Sequence, residues 1–270
     1  METKIKISNL NLKQISRSGQ CFRLNETEDG SFSLIFRDKA LRLRQNGDEI
    51  TFCCPENEFK SIWAPYFDLQ TDYEKIIALI PEEDTYLRNA AAFGNGIRIL
   101  RQDPWEMIIT FIISQRKNMP AIRSCVEKIS ERFGKKISTP FGDSFAFPEP
   151  EELASASVED LLACSLGYRA KYIKETAGRI ACGDFDIESL SPLPTNELSE
   201  SLKTLKGVGE KVANCIILFA YHRLEAFPID VWIRRIIDNY YGGEFGTSLY
   251  GEYAGVIQQY MFFYETGRNS

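Results

Sequence analysis

Leu205-Lys206-Gly207-Val208-Gly209-Glu210-Lys211-Val212-Ala213, followed after one apolar helix's worth of residues by Pro228-Ile229-Asp230, is the stretch on which the reading of this chain turns. A Gly-Val-Gly turn forces a tight hairpin into the start of a helix and leaves amide N–H groups facing outward, the backbone chemistry that holds a phosphate. Lys211 then falls in the first turn of that helix. There the positive end of the dipole disfavours an ammonium and favours a free, nucleophilic amine. An amine beside a phosphate grip points to chemistry on nucleic acid. A lone G-x-G is as often a helix cap as a ligand site, but the segment from Val212 to Tyr221 is apolar nearly all round, which predicts a buried helix. A lysine at the mouth of a buried helix is costly to desolvate and tends to shed its proton.

Asp230 follows Pro228 and heads the helical run Val231-Trp232-Ile233-Arg234-Arg235-Ile236-Ile237, the place of an N-cap aspartate. Such a cap is worth on the order of 1 kcal/mol. The same amide donors also hold the carboxylate ionised, giving a fixed negative charge ready to stabilise a developing cation.

Working outward, composition excludes more than it assigns. The chain has 270 residues, 44% hydrophobic and 26% charged, enough for two or three closely packed domains. Its seven cysteines (Cys21, Cys53, Cys54, Cys125, Cys164, Cys182 and Cys215) are scattered, follow no C-x-x-C spacing, and meet no signal peptide or long apolar span. These features imply a reduced, cytoplasmic protein without targeting signal or membrane contact, expected as a monomer. The net charge of -6 argues against coating nucleic acid by bulk electrostatics, so any DNA contact must be local. A single histidine, His222, removes multi-histidine zinc sites and makes a Ser-His-Asp mechanism improbable; beside Arg223 at a helix end, it reads as a complement to the dipole.

From Lys4 to about Cys54 apolar and polar residues alternate, as in Phe32-Ser33-Leu34-Ile35-Phe36 and Leu41-Arg42-Leu43-Arg44, with turns at Glu28-Asp29-Gly30 and Asn46-Gly47. This pattern predicts antiparallel strands joined by hairpins. From about Glu56 the period becomes helical, and the rest reads as helix and loop. Asp103-Pro104-Trp105-Glu106 supplies an N-cap, a first-turn proline and an acidic third position for a run through Ile113; Pro120 starts another helix, closed by Gly134. Between these lies Ser114-Gln115-Arg116-Lys117-Asn118-Met119, read equally well as a solvated connection or a DNA-facing loop. In Leu166-Gly167-Tyr168-Arg169-Ala170-Lys171-Tyr172 an aromatic-basic pair opens a helix. Such a pair can stack on bases, although core packing of the tyrosine is the commoner outcome.

A hairpin of the form L-x-G-V-G-x-K followed by P-x-D resembles the DNA glycosylase superfamily named for its helix-hairpin-helix and its Gly/Pro-rich loop ending in aspartate. Within it the chain looks most like the 8-oxoguanine DNA glycosylase/AP lyase family. Ser18 to Arg23 resembles that family's S-G-Q-x-F-R motif, Arg98 to Pro104 its R-x-L-R-Q-D-P motif, and Leu166 to Tyr172 its L-G-Y-R-A-x-Y motif. Ala254-Gly255 with Gln258 and Phe262 matches its last helix. The residue reading and the resemblance together imply an α+β fold. An N-terminal antiparallel β domain with trailing helices (1–97) would precede two mainly α-helical domains (98–270). The helix-hairpin-helix (about 199–221) would lie at their junction, with the Pro-x-Asp loop at 228–230.

The resemblance also implies roles. Lys211 matches the lysine that attacks the sugar C1′, expels the oxidised base and forms a Schiff base through which β-elimination cuts the strand. Asp230 matches the aspartate supporting the cationic sugar. Gly19 corresponds to the residue whose carbonyl accepts the N7 hydrogen that 8-oxoguanine carries and guanine lacks, a difference worth about 1–3 kcal/mol when the acceptor is buried. Gln258 matches the reader of the flipped base's Watson–Crick edge, and Phe262 and Cys215 the groups between which it stacks. Arg116 and Asn118 fall in the loop that fills the vacated space, Tyr168 and Arg169 match residues near the unpaired partner base, and Gly207 and Gly209 grip phosphate. The carbonyls of Lys203, Leu205 and Val208 resemble those that hold a monovalent or divalent cation at such hairpins. Eukaryotic members carry asparagine where Arg116 stands and histidine at the place of Trp232. Some relatives hold an iron-sulfur cluster through cysteines near the C-terminus; no cysteine follows Cys215, so no cluster and no required cofactor is expected. The implied partner is double-stranded DNA containing oxidised guanine. The alternatives are a monofunctional alkylpurine glycosylase on the same fold, for which the aspartate alone would suffice, and a non-catalytic helix-hairpin-helix DNA-binding module.

Overall fold

In the computed structural model, which describes residues 1–139 and 141–268, the alternating N-terminal segment forms one antiparallel sheet. Its strands are β1 (Thr3–Lys6), β2 (Leu24–Glu26), β3 (Phe32–Phe36), β4 (Lys39–Asn46) and β5 (Glu49–Phe52), in the order β1-β5-β4-β3-β2. Gly30 and Gly47 turn the chain at φ +76° and +57°, a region glycine enters without steric cost. Because side chains alternate across a strand, Leu34, Leu41, Leu43, Ile50 and Phe52 share the covered face. They form a core with Phe59, Trp63, Tyr66 and Phe67 from the helical turns that follow.

Two departures from the expected pattern lie in short elements. A helix at Leu12–Arg17 interrupts the strands, started by Asn11, whose side chain accepts the Gln14 N–H at 3.0 Å. Within the region read as helix and loop, β6 (Lys136–Thr139) pairs with β7 (Gly142–Phe145) as an antiparallel hairpin. Its strands are half exposed and mostly polar, so they carry no apolar period to read.

The remaining helices enclose a second, larger core. The helices Tyr73–Ala78 and Thr85–Phe93, which fall in the 1–97 segment, bury Tyr73, Ile76 and Leu87 in that core rather than beneath the sheet. A buried guanidinium ties the two cores together. Arg98 lies 4.1 Å over the Tyr73 ring and donates to the Asn9 side chain and to the carbonyls of Phe67, Asp68 and Thr71 at 2.6–3.2 Å. Beside it Asp68 receives Arg101 at 3.2 Å, the Tyr73 hydroxyl at 3.1 Å, and His222 at 3.5 Å. His222 therefore does not serve as an exposed helix-end cation. Its ring sits in this seam, with Nε2 facing two acceptors, the Ile99 carbonyl at 3.1 Å and Asp68, so that nitrogen is the donor.

Candidate active site

Two helix N-termini bring the chemical residues together. The hairpin helices are Thr195–Lys203 and Glu210–Phe219. Between them the Val208 N–H donates to the Leu205 carbonyl at 3.0 Å, and Gly207 turns at φ +85°. No other residue fits there: a Cβ on Gly207 would lie 2.6 Å from the Tyr172 ring. Lys211 is the second residue of the second helix and is half-buried, with Nζ 5.7 Å from the centre of the Phe111 ring. Cys215 follows one turn later on the same face and is buried.

Asp230 caps the helix Val231–Tyr240 as its sequence position requires, Oδ1 accepting the N–H groups of Trp232 and Ile233 at 2.9 Å each. Both bonds go to one oxygen, leaving Oδ2 free of them. Burial pushes the Cys215 thiol up, Lys211 opposes that shift, and the Asp230 carboxylate adds to it. Lys211, Cys215 and Asp230 therefore share one electrostatic environment.

The residues expected to read the base come from remote parts of the chain. Gly19 adopts φ +76°, and a Cβ there would lie 3.1 Å from Phe262 and 3.3 Å from the Met119 sulfur, so Gly19 and Phe262 face each other directly. Gln258 precedes Phe262 by one turn on the helix Ala254–Arg268, and its carboxamide is buried, accepting the Gln259 side chain at 3.3 Å. That helix is seated against the catalytic one through Gly255. Its N–H donates to the Leu224 carbonyl at 2.7 Å, and a Cβ would lie 2.6 Å from Leu218 and 2.5 Å from the Ala226 carbonyl.

Gly19 is held by its neighbours in the motif. Gln20 is fully buried; its amide donates to the Ser18 hydroxyl and the Arg98 carbonyl at 3.0 Å, and its oxygen accepts the Leu100 N–H at 2.9 Å. Gln102 closes the knot by donating to the Gln20 carbonyl at 2.8 Å. Arg23 binds the Ser130 hydroxyl and the Phe145 carbonyl. The motif that looks like a recognition loop is thus mostly internal scaffolding around one presented glycine.

The loop between Pro104–Ser114 and Met119–Phe133 exposes Arg116, held at φ +53°, and Asn118, whose side chain caps the next helix by accepting the Ala121 N–H at 3.0 Å. Tyr168 is exposed, with Tyr172 behind it at 5.6 Å between ring centres. Arg169 differs from expectation. Only 6% exposed, it turns inward; its guanidinium donates to the carbonyls of Gln115 and Leu166 and lies 4.4 Å over the Tyr168 ring. It fastens the two loops to each other. Gln115 also packs against Gly207, so Arg116, Tyr168, Gly207 and the exposed Gly209 lie on adjoining parts of the surface. Lys117 adds a tie at 3.0 Å to the Ser165 carbonyl.

Sequence reasoning missed Met119 and Phe111. Met119 left a signal, an apolar residue ending a polar loop. Phe111 left none, because its helix is apolar on every side.

Comparison with known proteins points to one family of DNA repair enzymes. The family profile described as 8-oxoguanine DNA glycosylase, N-terminal domain, matches residues 3–108, and that of the HhH-GPD superfamily base excision DNA repair proteins matches residues 109–245. A probable N-glycosylase/DNA lyase of Methanothermobacter thermautotrophicus is 31% identical, covering 96% of this chain and 94% of that protein. The 8-oxoguanine glycosylase/lyase of Clostridium acetobutylicum, solved with double-stranded DNA containing cytosine opposite 8-oxoguanine, is 36% identical and superposes with a TM-score of 0.92, covering 100% of this chain and 99% of that one. The N-glycosylase/DNA lyase OGG1 of Arabidopsis thaliana is 29% identical over 97% of this chain and 79% of its own length.

Proposed function

The chain belongs to the 8-oxoguanine DNA glycosylase/AP lyase family of the helix-hairpin-helix superfamily, and from that premise we propose that Lys211 and Asp230 carry out excision of 8-oxoguanine from duplex DNA with cleavage of the strand. The observation that carries this reading is the shared environment of Lys211, Cys215 and Asp230, joined through Gly255 to the helix that bears Gln258 and Phe262.

The Lys211 amine attacks C1′ of the flipped nucleotide; the C1′–N9 bond breaks and its electron pair leaves with the base. Asp230, anchored through Oδ1, offers Oδ2 to the positive charge that develops on the sugar in the transition state, where a preorganised charge counts most. The Lys211–C1′ adduct loses a proton and opens to a Schiff base. Loss of a C2′ proton then breaks the C3′–O bond and cuts the strand. Phe262 and the Cys215 thiol sandwich the base, Gln258 pairs with its Watson–Crick edge, and the Gly19 carbonyl accepts the N7 hydrogen.

Arg116 enters the space the base vacates, with Tyr168 beside it and Asn118 at the loop's end. Arg169 acts one layer back, holding the Gln115 carbonyl so that Arg116 keeps its left-handed backbone before DNA arrives. Gly207 and Gly209 present amides to a phosphate. At the same hairpin the carbonyls of Lys203, Leu205 and Val208 would hold a cation, whose charge would attract a phosphate. The Leu205 carbonyl already accepts the Val208 N–H, so its second lone pair is the one that remains for the ion.

The test is borohydride trapping on a duplex containing 8-oxoguanine. The wild type becomes covalently attached, and Lys211→Gln does not. Attachment that persists in the variant would overturn the nucleophile. Release of 3-methyladenine without trapping would favour the monofunctional alkylpurine reading, and neither reaction would leave a binding module.

A further inference from the structure

At the far end of the helix that Asp230 begins lies a cleft of about 670 Å³ that the repair chemistry does not use. A helix of ten residues is about 15 Å long, so Tyr240 and Tyr241, at its C-terminal end, stand well away from the Schiff-base lysine. The cleft is built from aromatic pairs. Tyr86 and Tyr240 stack with ring centres 4.1 Å apart, and Phe245 and Tyr250 stack at 5.6 Å, nearly parallel. Tyr241 lies between the pairs, edge-on to Phe245 at 4.8 Å and to Tyr86 at 6.2 Å. Its hydroxyl donates to both oxygens of Asp84 at 3.0–3.1 Å, which fixes the floor.

The rim is acidic and apolar at once. Glu83 lines the cleft and Glu82 adjoins it, both exposed, and among the described residues no ion pair engages Glu82, Glu83 or Asp84. Leu249 is 59% exposed and Tyr240 51%, so the apolar surface extends beyond the volume of a single small cation. Flat aromatic faces beside unneutralised carboxylates are complementary to a guanidinium, which stacks on rings and pairs with a carboxylate through two parallel N–H donors. An ammonium lacks that plane, and an anion would meet the carboxylates unscreened.

We propose that this cleft docks an arginine-bearing segment of a protein partner, the guanidinium lying against Tyr240 and Glu83 while neighbouring apolar side chains cover Leu249. The inference goes beyond the glycosylase reading; only the expectation that the partner and DNA bind together rests on it. The partner would approach from the side opposite the Asp230 end and could remain while the enzyme holds its cut product.

The probe is a fluorescein-labelled pentapeptide with one arginine between two leucines and glycine ends, followed by anisotropy. Its twin carries citrulline, which keeps the shape and removes the charge. The arginine peptide is expected to bind the full chain below about 1 mM, and the citrulline twin about tenfold more weakly. Tyr240→Ala and Glu83→Gln, both at exposed positions, should each weaken binding about threefold to fivefold, the worth of an exposed cation–π contact for the ring and of an exposed ion pair for the carboxylate. A saturating abasic duplex should leave the peptide bound. Equal binding of the two peptides, unchanged affinity in both variants, or no binding at about 1 mM would overturn the proposal. Full displacement by arginine amide at the peptide's own concentration would also overturn it, in favour of a small-molecule site. Expulsion of the peptide by the duplex would refute simultaneous docking. Borohydride trapping is read separately, so failure here is distinguishable from failure of the glycosylase reading.

Discussion

The two halves of the site are built differently. Lys211, Cys215 and Asp230 come from one short stretch and are placed by local rules: a glycine hairpin, an i,i+4 spacing and a helix cap. Gly19, Met119, Gln258 and Phe262 meet only because residues far apart in sequence are knotted by buried bonds, from Gln20 and Arg98 at one end to Gly255 at the other. The chemical half therefore tolerates strain elsewhere, whereas the reading half depends on every seam. On the proposed mechanism, cleavage at a preformed abasic site needs the first half alone and excision of 8-oxoguanine needs both, so the ratio of these activities measures the difference.

The largest effect belongs to Lys211→Gln, which should lower both activities by at least about 10³-fold, as loss of a nucleophile does. Abasic-site cleavage that survives in this variant would break the comparison at its root. Next comes Glu106, buried within the field of the Arg23 guanidinium. Burial pushes its carboxyl from 4.5 to about 7; Arg23 opposes the shift and Asp103 adds to it. A carboxyl whose folded value is raised stabilises fully below its unfolded value, and that contribution is lost as pH rises through the folded one. Between pH 4.5 and about 7 the wild type should lose on the order of 3 kcal/mol. Glu106→Gln should flatten that slope in urea unfolding, so a slope that stays would refute the assignment.

What the sequence alone conveyed divides along the same line. The strand Phe32–Phe36, the Asp103 cap and the pair Lys211 and Asp230 were legible because each rests on a local period or a cap. Gln20 was not, because a polar residue buried by three long-range hydrogen bonds, two from its side chain and one to its carbonyl, leaves no pattern along the chain. Arg169 was misplaced for a related reason. An arginine next to an exposed tyrosine reads as a surface pair, and only tertiary packing turns its guanidinium toward Gln115. His222 followed suit: the helix end was visible, but Asp68, far away in sequence, was not.

Arg169 makes the comparison sharper. If it holds Arg116 in place before DNA arrives, Arg169→Ala should cut 8-oxoguanine excision about 10²-fold, the cost of a small misplacement, while abasic-site cleavage changes little. The loss should be the same whichever base stands opposite the lesion, since a positioning residue acts before that base is read. A loss confined to one opposite base would make Arg169 a direct reader, and an equal fall in both activities would make it a general fold element.

The smallest effect tests a single wall of the reading half. Phe262 is half-buried, and its ring edge packs against Gly19, so it has both a core-facing and a pocket-facing role to separate. Stacking on a base is worth about 1–3 kcal/mol. Phe262→Ala should weaken binding of an 8-oxoguanine duplex by about that amount, and an otherwise identical abasic duplex hardly at all, because the abasic site offers no base to stack. Packing loss would weaken both duplexes equally and lower the unfolding midpoint with them. Binding that falls only when the base is present assigns the ring to the lesion, and binding that falls for both returns it to the core.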